Sequence, residues 1–395
     1  MSSSHRRIAA PFPVRIVHVL PQLRLGVGRL VVDLAKRQAA RHGVGRVELV
    51  VAPDADEPWT SDPVQVADAS STMTVRIGGD FFRRSLPTLR SAASTIRAQQ
   101  AGRGPWLAHA HTAMAAAVTR WAGAYAVVGT CYGVGPGRPP AFDLQDALAW
   151  AAVDAMSAAS RAWIARLESE FGLAGVAALP GGIDPSRVPW PTAPGPAPRL
   201  VTVAELTRRK GVDVILSAVA ACGRVLEGVD VLVIGRGDDE AALRAAARML
   251  PPGARVRFAG HLACPPVEFR DDDIFLLASR EDNQPVAAIE AMLAGLPLVV
   301  TEVGGLGEMV RDARCGIVVP ADDVDALARA ITTIVSAPRA ERRRLGRAGR
   351  EHALAHHSIE AADAACDALY GDALEAARAR WGEADSLPTP RAIAR

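Results

Sequence analysis

Lysine is nearly missing from this chain. Of 45 basic residues only Lys36 and Lys210 are lysine, so a lysine inside a motif stands out from an arginine background. Cysteine is scarce too: Cys131, Cys222, Cys264, Cys315 and Cys366 are odd in number, scattered, and never spaced C-x-x-C. That excludes a disulfide framework and a thiolate zinc site, and it fits a reducing cytoplasm. Neither sign of charge dominates, the formal net charge being +2, so the balance gives no reason to expect nucleic acid as a partner. No apolar run reaches the roughly 20 residues of a membrane-spanning helix. The opening segment, MSSSHRRIAAPFPVRIVHVL, has no uninterrupted apolar core ending in a cleavage site and does not read as a signal peptide.

What is present is a repeated alternation of short apolar strands and amphipathic helices over 395 residues, long enough for two domains. Val14 to Leu20 is β-branched and apolar, a buried parallel strand. The loop PQLRLGVG follows, then a helix from Arg29 to Arg41 and a strand from Val47 to Ala52. The pattern continues with a helix over 86–100, a strand over 106–110 ending at His109 and His111, and a helix over 113–123. A strand then runs over 124–129 and a helix over 143–159. Residues 185–198 hold six prolines and read as a semi-rigid linker. Beyond it a second α/β series begins at Arg199, followed by helices over 339–365 and 367–381. The expected domains are thus 1–184, the linker 185–198, and 199–365. A C-terminal helix over 366–382 would cross back to the first domain, before a disordered tail at 383–395. Two doubly wound domains joined this way leave a cleft, and strand C-termini facing it are where such folds bind ligands.

The most informative stretch is Ser279 to Val300, SREDNQPVAAIEAMLAGLPLVV. Acids and amides at Glu281-Asp282-Asn283-Gln284 follow an apolar strand, then Pro285 opens a short helix carrying Glu290. Proline suits a helix start, and that start offers unpaired backbone N–H groups and partial positive charge. Acids able to hold hydroxyls beside a helix end able to hold phosphate suit a nucleotide sugar, although an ordinary crossover with an acidic loop gives the same pattern. Gly235-Arg236-Gly237 and Gly26-Val27-Gly28 both lack the third glycine of a dinucleotide fingerprint, so no nicotinamide cofactor is expected. Asp271-Asp272-Asp273 invites a metal reading. It precedes its strand, however, at the end away from the cleft, and reads as a solvated strand entry.

From VTVAELTRRKGVDVILSAV through VLVIGRGDDEAAL, VRFAG, DDIFLLASREDNQPVAAIEAMLAGLPLVVTEVGGLGEMV and GIVVPADDVDALARAI, residues 200 to 335 resemble the nucleotide-sugar domain of the family 4 retaining glycosyltransferases. The N-terminal half resembles the family more loosely, at residues 14–30, at His109-Ala110-His111 and at PGGID over 180–184. The resemblance implies an α/β GT-B architecture, two Rossmann-like doubly wound domains facing each other across a cleft. It implies a nucleoside-diphosphate sugar as donor, with a UDP-sugar expected, and no metal or other cofactor. The acceptor would be a small molecule, a natural product or a lipid-linked glycan, with peripheral membrane contact through Arg83, Arg84 and the helix around Lys36 left open. Glu290 would hold the ribose hydroxyls. The first acid of the family pair would contact the donor sugar, and Asp282 takes that place by spacing, beside Glu281. Lys210, with Arg208 or Arg209, would hold the diphosphate. Glu205 stands where the family has an arginine, a charge reversal. Gly304, Gly305 and Glu308 match a G-G-x-x-E turn, and the Gly26–Gly28 loop would face the diphosphate from the other domain. His111 would contact the transferred sugar or the acceptor. Tyr132 stands where many members carry histidine, and His18 reads as core. Two other functions fit the same fold, a nucleotide-sugar epimerase and a non-catalytic nucleotide-sugar binder.

Overall fold

The computed structural model describes residues 14–20, 25–43, 45–51, 73–76, 86–133, 144–191, 197–250 and 255–382. The chain divides into two compact units, 1–182 with 359–395, and 183–358. Arg83, Arg84, most of the polar stretch after Ala52 and the tail from 383 lie outside the described residues.

The first unit is built on a parallel sheet of β1 (Arg15–Leu20), β2 (Val47–Val51), β3 (Met73–Arg76), β4 (Trp106–Ala110), β5 (Ala126–Cys131), β6 (Ala155–Ala158) and β7 (Ala177–Ala178). Their spatial order is β3-β2-β1-β4-β5-β6-β7. The continuous apolar runs are those of strands buried on both faces. Helices α1 (Leu25–His42), α2 (Leu86–Gln100), α3 (Ala113–Ala122), α4 (Leu144–Ala151) and α5 (Arg161–Phe171) connect them. Ile96, Trp106, Val118, Trp163 and Leu167 fill one core layer. The order reverses between β1 and β4, whose register sets His18 beside His109.

Two elements differ from expectation here. Helix α1 begins at Leu25, so Gly26 and Gly28 lie in its first turn rather than in a loop. The helix expected over 143–159 ends at Ala151, and 155–158 is strand β6. Asp154 sets that change: its carboxylate accepts from the Val127 N–H at 2.8 Å and pairs with Arg120 at 2.6 Å, which pins the chain against β5.

The second unit has the strand order β10-β9-β8-β11-β12-β13, made of β8 (Arg199–Val203), β9 (Asp230–Ile234), β10 (Arg255–Gly260), β11 (Asp273–Leu277), β12 (Leu298–Thr301) and β13 (Gly316–Val319). Numbered from its own first strand this is 3-2-1-4-5-6, the doubly wound order whose ligand position lies at the switch between strands one and four. Its helices are α6 (Val212–Cys222), α7 (Glu240–Arg248), α8 (Val286–Leu293), α9 (Gly304–Ala313), α10 (Val324–Ser336) and α11 (Arg339–His356). The Asp271–Asp273 run is not the solvated entry expected. Asp273 is buried against Arg199 at 2.7 Å, and Arg339 and Arg343 from α11 hold Asp271 and Asp272. These acids are tied up structurally.

The last helix, α12 (Ile359–Trp381), returns to the first unit. It lays Cys366, Leu369, Tyr370, Ala373 and Ala377 against Leu107, Tyr125 and Val128 on the other face of that sheet. The break between the two final helices falls at His357-Ser358, eight to nine residues earlier than the sequence suggests. Ile183 donates its N–H to the His357 carbonyl at 2.9 Å and bridges Ser358 in parallel, which requires extended backbone there. Cys366, the expected boundary, is an interior position of one continuous helix.

Candidate functional site

The C-terminal ends of β8 and β11 flank the switch of the second sheet. The loop after β8 carries Arg208-Arg209-Lys210 as one turn of 3-10 helix, closed by Gly211 in the left-handed region at φ 65°. A Cβ at Gly211 would overlap the Ala278 carbonyl at the end of β11, so only glycine lets the two loops meet. They are stitched further by the Arg280 N–H donating to the Arg209 carbonyl at 2.8 Å. Lys210 and Asp282, 72 positions apart, consequently form an ion pair, and the Ser279 hydroxyl donates to the same carboxylate at 3.0 Å. Gly304, φ 45°, comes so close to the Asp282 carbonyl that a Cβ would overlap it, which brings the start of α9 into the same place.

The helix ends here share one trait. Helices α6, α7, α8 and α9, which follow β8, β9, β11 and β12, have no side-chain hydrogen bond at their N-caps. Elsewhere Thr112, Ser160 and Asp323 cap α3, α5 and α10 with their own oxygens, while α11, which starts after Pro338, also has no side-chain cap. Uncapped N–H groups together with a lysine are what an anionic group requires. Glu290 and Glu308 each sit one turn into their helices, Glu290 only 3% exposed and Glu308 half-buried. Of the two arginines expected at the diphosphate, Arg209 reaches the Glu281 carbonyl at 3.2 Å and lies 3.5 Å from Glu205. Arg208 is exposed. Lys210, Asp282, Gly304 and the Arg208–Arg209 turn are thus brought together.

Arg280 carries no expected role, yet it pairs with Asp213 at 2.7 Å and with Asp322 at 2.7 Å while donating to the Arg208 carbonyl. It braces the lysine turn from behind. No spacing signal in the chain announces it, because its partners lie on the first turn of α6, on the loop after β8 and on the loop after β13.

His111, at the end of β4 in the first unit, is only 4% exposed. Its Nε2 is 3.0 Å from His18 Nδ1 and its Nδ1 is 3.3 Å from the Tyr132 hydroxyl. His18 is in the core as expected but is a hydrogen-bonding member of this group, and His109 joins them. Ring nitrogens of the three lie within 4.8 Å of one another, close enough to hold an ion among the described residues. Burial depresses all three rings, His18 to about 4 and the other two well below the usual histidine range. Gly26 and Gly28 belong to the same unit, on the first turn of α1.

Two parallel sheets with reversed strand order, one bearing a lysine and uncapped helix ends at its switch, define a two-domain α/β fold of the GT-B class. The description "Glycosyl transferases group 1" matches residues 191–352 and "Glycosyltransferase Family 4" matches residues 25–187. With most of its length matched, the chain belongs to the family 4, group 1 glycosyltransferases. A glycogen synthase of Mycobacterium tuberculosis is 33% identical over 187 residues, 46% of this chain and 44% of that protein. A GDP-mannose-dependent phosphatidylinositol monomannoside mannosyltransferase of the same species is 29% identical over 206 residues, 47% of this chain and 53% of that one. The chain therefore spans about half the length of the curated relatives it matches. Among solved structures, sucrose-phosphate synthase from Thermosynechococcus elongatus superposes with a TM-score of 0.75 at 22% identity, covering 92% of this chain and 100% of that one. An Anabaena protein solved with UDP and glucose gives 0.70 at 16% identity, with 91% and 99% covered.

Proposed function

We propose that the protein transfers a sugar, with retention of anomeric configuration, from a nucleoside-diphosphate sugar bound by the second unit to a small-molecule, natural-product or lipid-linked glycan acceptor. The observation that carries this reading is the convergence of Lys210, Asp282 and the uncapped start of α9 at the strand switch, in a chain of this family. The diphosphate takes up Lys210 and the backbone N–H groups, whose positive charge stabilises the oxygens as the glycosidic bond breaks. Glu290 accepts from the ribose hydroxyls, a role suited to a carboxylate with two acceptor oxygens. Asp282, displaced from Lys210, turns to a hydroxyl of the sugar. The acceptor enters from the face the diphosphate leaves, and the departing oxygens take its proton.

UDP is supported as the nucleotide by the Anabaena protein with bound UDP, and GDP by the GDP-mannose-dependent relatives. A thermal-shift comparison of UDP-, GDP-, ADP- and dTDP-sugars separates them, since a ligand held only by the folded state raises Tm with its concentration. Radiolabelled donors, incubated with and without acceptors, test the reaction. Transfer or slow hydrolysis supports this reading, an isomerised donor favours an epimerase, and tight binding without turnover favours a binding protein.

A further inference from the structure

Eight polar side chains of the first unit stand in single file. Tyr132 Oη is 3.3 Å from His111 Nδ1, His111 Nε2 is 3.0 Å from His18 Nδ1, and His18 Nε2 is 2.9 Å from Gln38 Oε1. Gln38 Nε2 is 3.3 Å from Tyr370 Oη, and Tyr370 Oη is 2.8 Å from His109 Nδ1. His109 Nε2 is 2.7 Å from Thr130 Oγ1, Thr130 is 2.8 Å from Ser157 Oγ, and Ser157 donates to the Gly129 carbonyl at 3.3 Å. They come from α1, α12 and the strands on either side of the β1–β4 switch.

One acceptor-only group, the Gly129 carbonyl, fixes the direction of the whole file. Ser157 spends its one proton on that carbonyl, so it accepts from Thr130; Thr130 then accepts from His109 Nε2, and His109 Nδ1 accepts from Tyr370. With its own proton given to His109, Tyr370 accepts from Gln38, so Gln38 turns its NH2 towards Tyr370 and its oxygen towards His18. His18 must then donate from Nε2 and accept at Nδ1, His111 must donate from Nε2, and Tyr132 must donate to His111 Nδ1. All three imidazoles are therefore Nε2–H tautomers, and the single lone pair each retains, at Nδ1, already takes a proton from its neighbour. The trio is built to pass orientation along and has no lone pair left over for an ion.

We infer that Gln38 is a positioning residue for His111: through His18 it holds the His111 ring as the neutral Nε2–H tautomer, so that His111 meets a ligand only as a hydrogen-bond acceptor at Nδ1, where the Tyr132 hydroxyl now donates. A hydroxyl donor that displaces Tyr132 is the matching ligand chemistry. That His111 faces a substrate rests on the proposed transfer reaction; the order of the tautomers does not. Burial that disfavours the charged form of all three rings agrees with it, and the other ionisable groups facing the file are Asp363, Cys366, Tyr132 and Tyr370.

Histidine-15N NMR on the full-length protein tests this. Wild type should show three protected Nε2–H signals with Nδ1 unprotonated, unchanged between pH 8 and about pH 5.5. Gln38→Leu should leave His109 as it is and convert His18 and His111 to mixed tautomers, lowering kcat about tenfold at constant donor KM. Should Gln38→Leu not fold, Tyr132→Phe decides: His111 keeps its Nε2–H if Gln38 sets it and loses it if Tyr132 does, which would overturn the proposal. Nδ1–H or imidazolium at His111 near neutral pH, or stoichiometric Zn2+ uptake abolished by His18→Gln, would overturn it as well. Tautomers as derived in a protein that transfers no sugar would count against the transfer reading alone.

Discussion

Lys210 is one of two lysines in the chain and the one whose neighbourhood is built for it, held by Asp282 while Ser279 holds that same carboxylate. Its replacement by alanine removes a cation that the proposed reaction sets against the diphosphate. We expect kcat/KM to fall by about 10²–10³, in line with losing a single charge stabiliser, as measured by steady-state kinetics with the best donor. Glu290→Ala should abolish turnover in the same assay, and full retained activity would remove Glu290 from the site. Gly304→Ala is a finer probe. Its methyl group must push the Asp282–Asn283 backbone aside, so donor KM should rise while melting temperature drops by only a few degrees. At this scale the lysine was legible in the sequence because it matches a motif in an arginine-rich chain. Its ion pair was not, since 72 positions separate the partners and only the β8–β11 pairing brings them together. His18 was legible as buried and illegible as a hydrogen-bonding partner for the same reason.

Among the elements, those that came through from the sequence are the ones with strong periodicity. Strands such as Val47–Val51 are short, valine-rich segments, and α2 occupies the span its apolar spacing marks out. Strand β6 escaped detection because AMSA has no β-branched residue. What makes it a strand is the Asp154 carboxylate gripping β5, a tertiary contact that overrides propensity. The misplaced break before α12 has a similar origin, in a bridge to Ile183 that no local pattern reveals. Helix α12 carries its own prediction. Tyr370 is fully buried, hydrogen-bonded to His109 and Gln38, and Tyr370→Phe leaves both short of a partner without opening a cavity. The loss of stability should be about 1–3 kcal/mol, read from urea unfolding at neutral pH.

For the molecule as a whole, the neutral histidines set an acid limit. His18 titrates at about 4 when folded, against 6.5 when exposed. Below 6.5 the unfolded chain therefore binds the proton and the folded chain does not. The stability this ring confers is complete above pH 6.5 and is lost as pH falls towards 4, roughly 3 kcal/mol for this ring alone. The first unit's urea midpoint should drop between pH 7 and pH 5, and a midpoint that stays level would contradict the burial of neutral rings. The buried Arg199–Asp273 pair makes a separate demand on the second unit. Arg199→Met strands a buried carboxylate and should cost about 3–5 kcal/mol, whereas Arg199→Met with Asp273→Leu should come close to wild type.

The bond from Ile183 to His357 joins the two places where the chain leaves the first unit and comes back to it. The second unit is thus a continuous segment with its ends side by side, the arrangement of an insertion. Synthesis proceeds from the N-terminus, so that whole segment must emerge before the helix that covers Tyr125 and Val128 is made. The first unit to leave the ribosome is the last to be completed. A chain released anywhere short of Tyr370 carries a sheet with one bare apolar face, the kind of surface that chaperones hold.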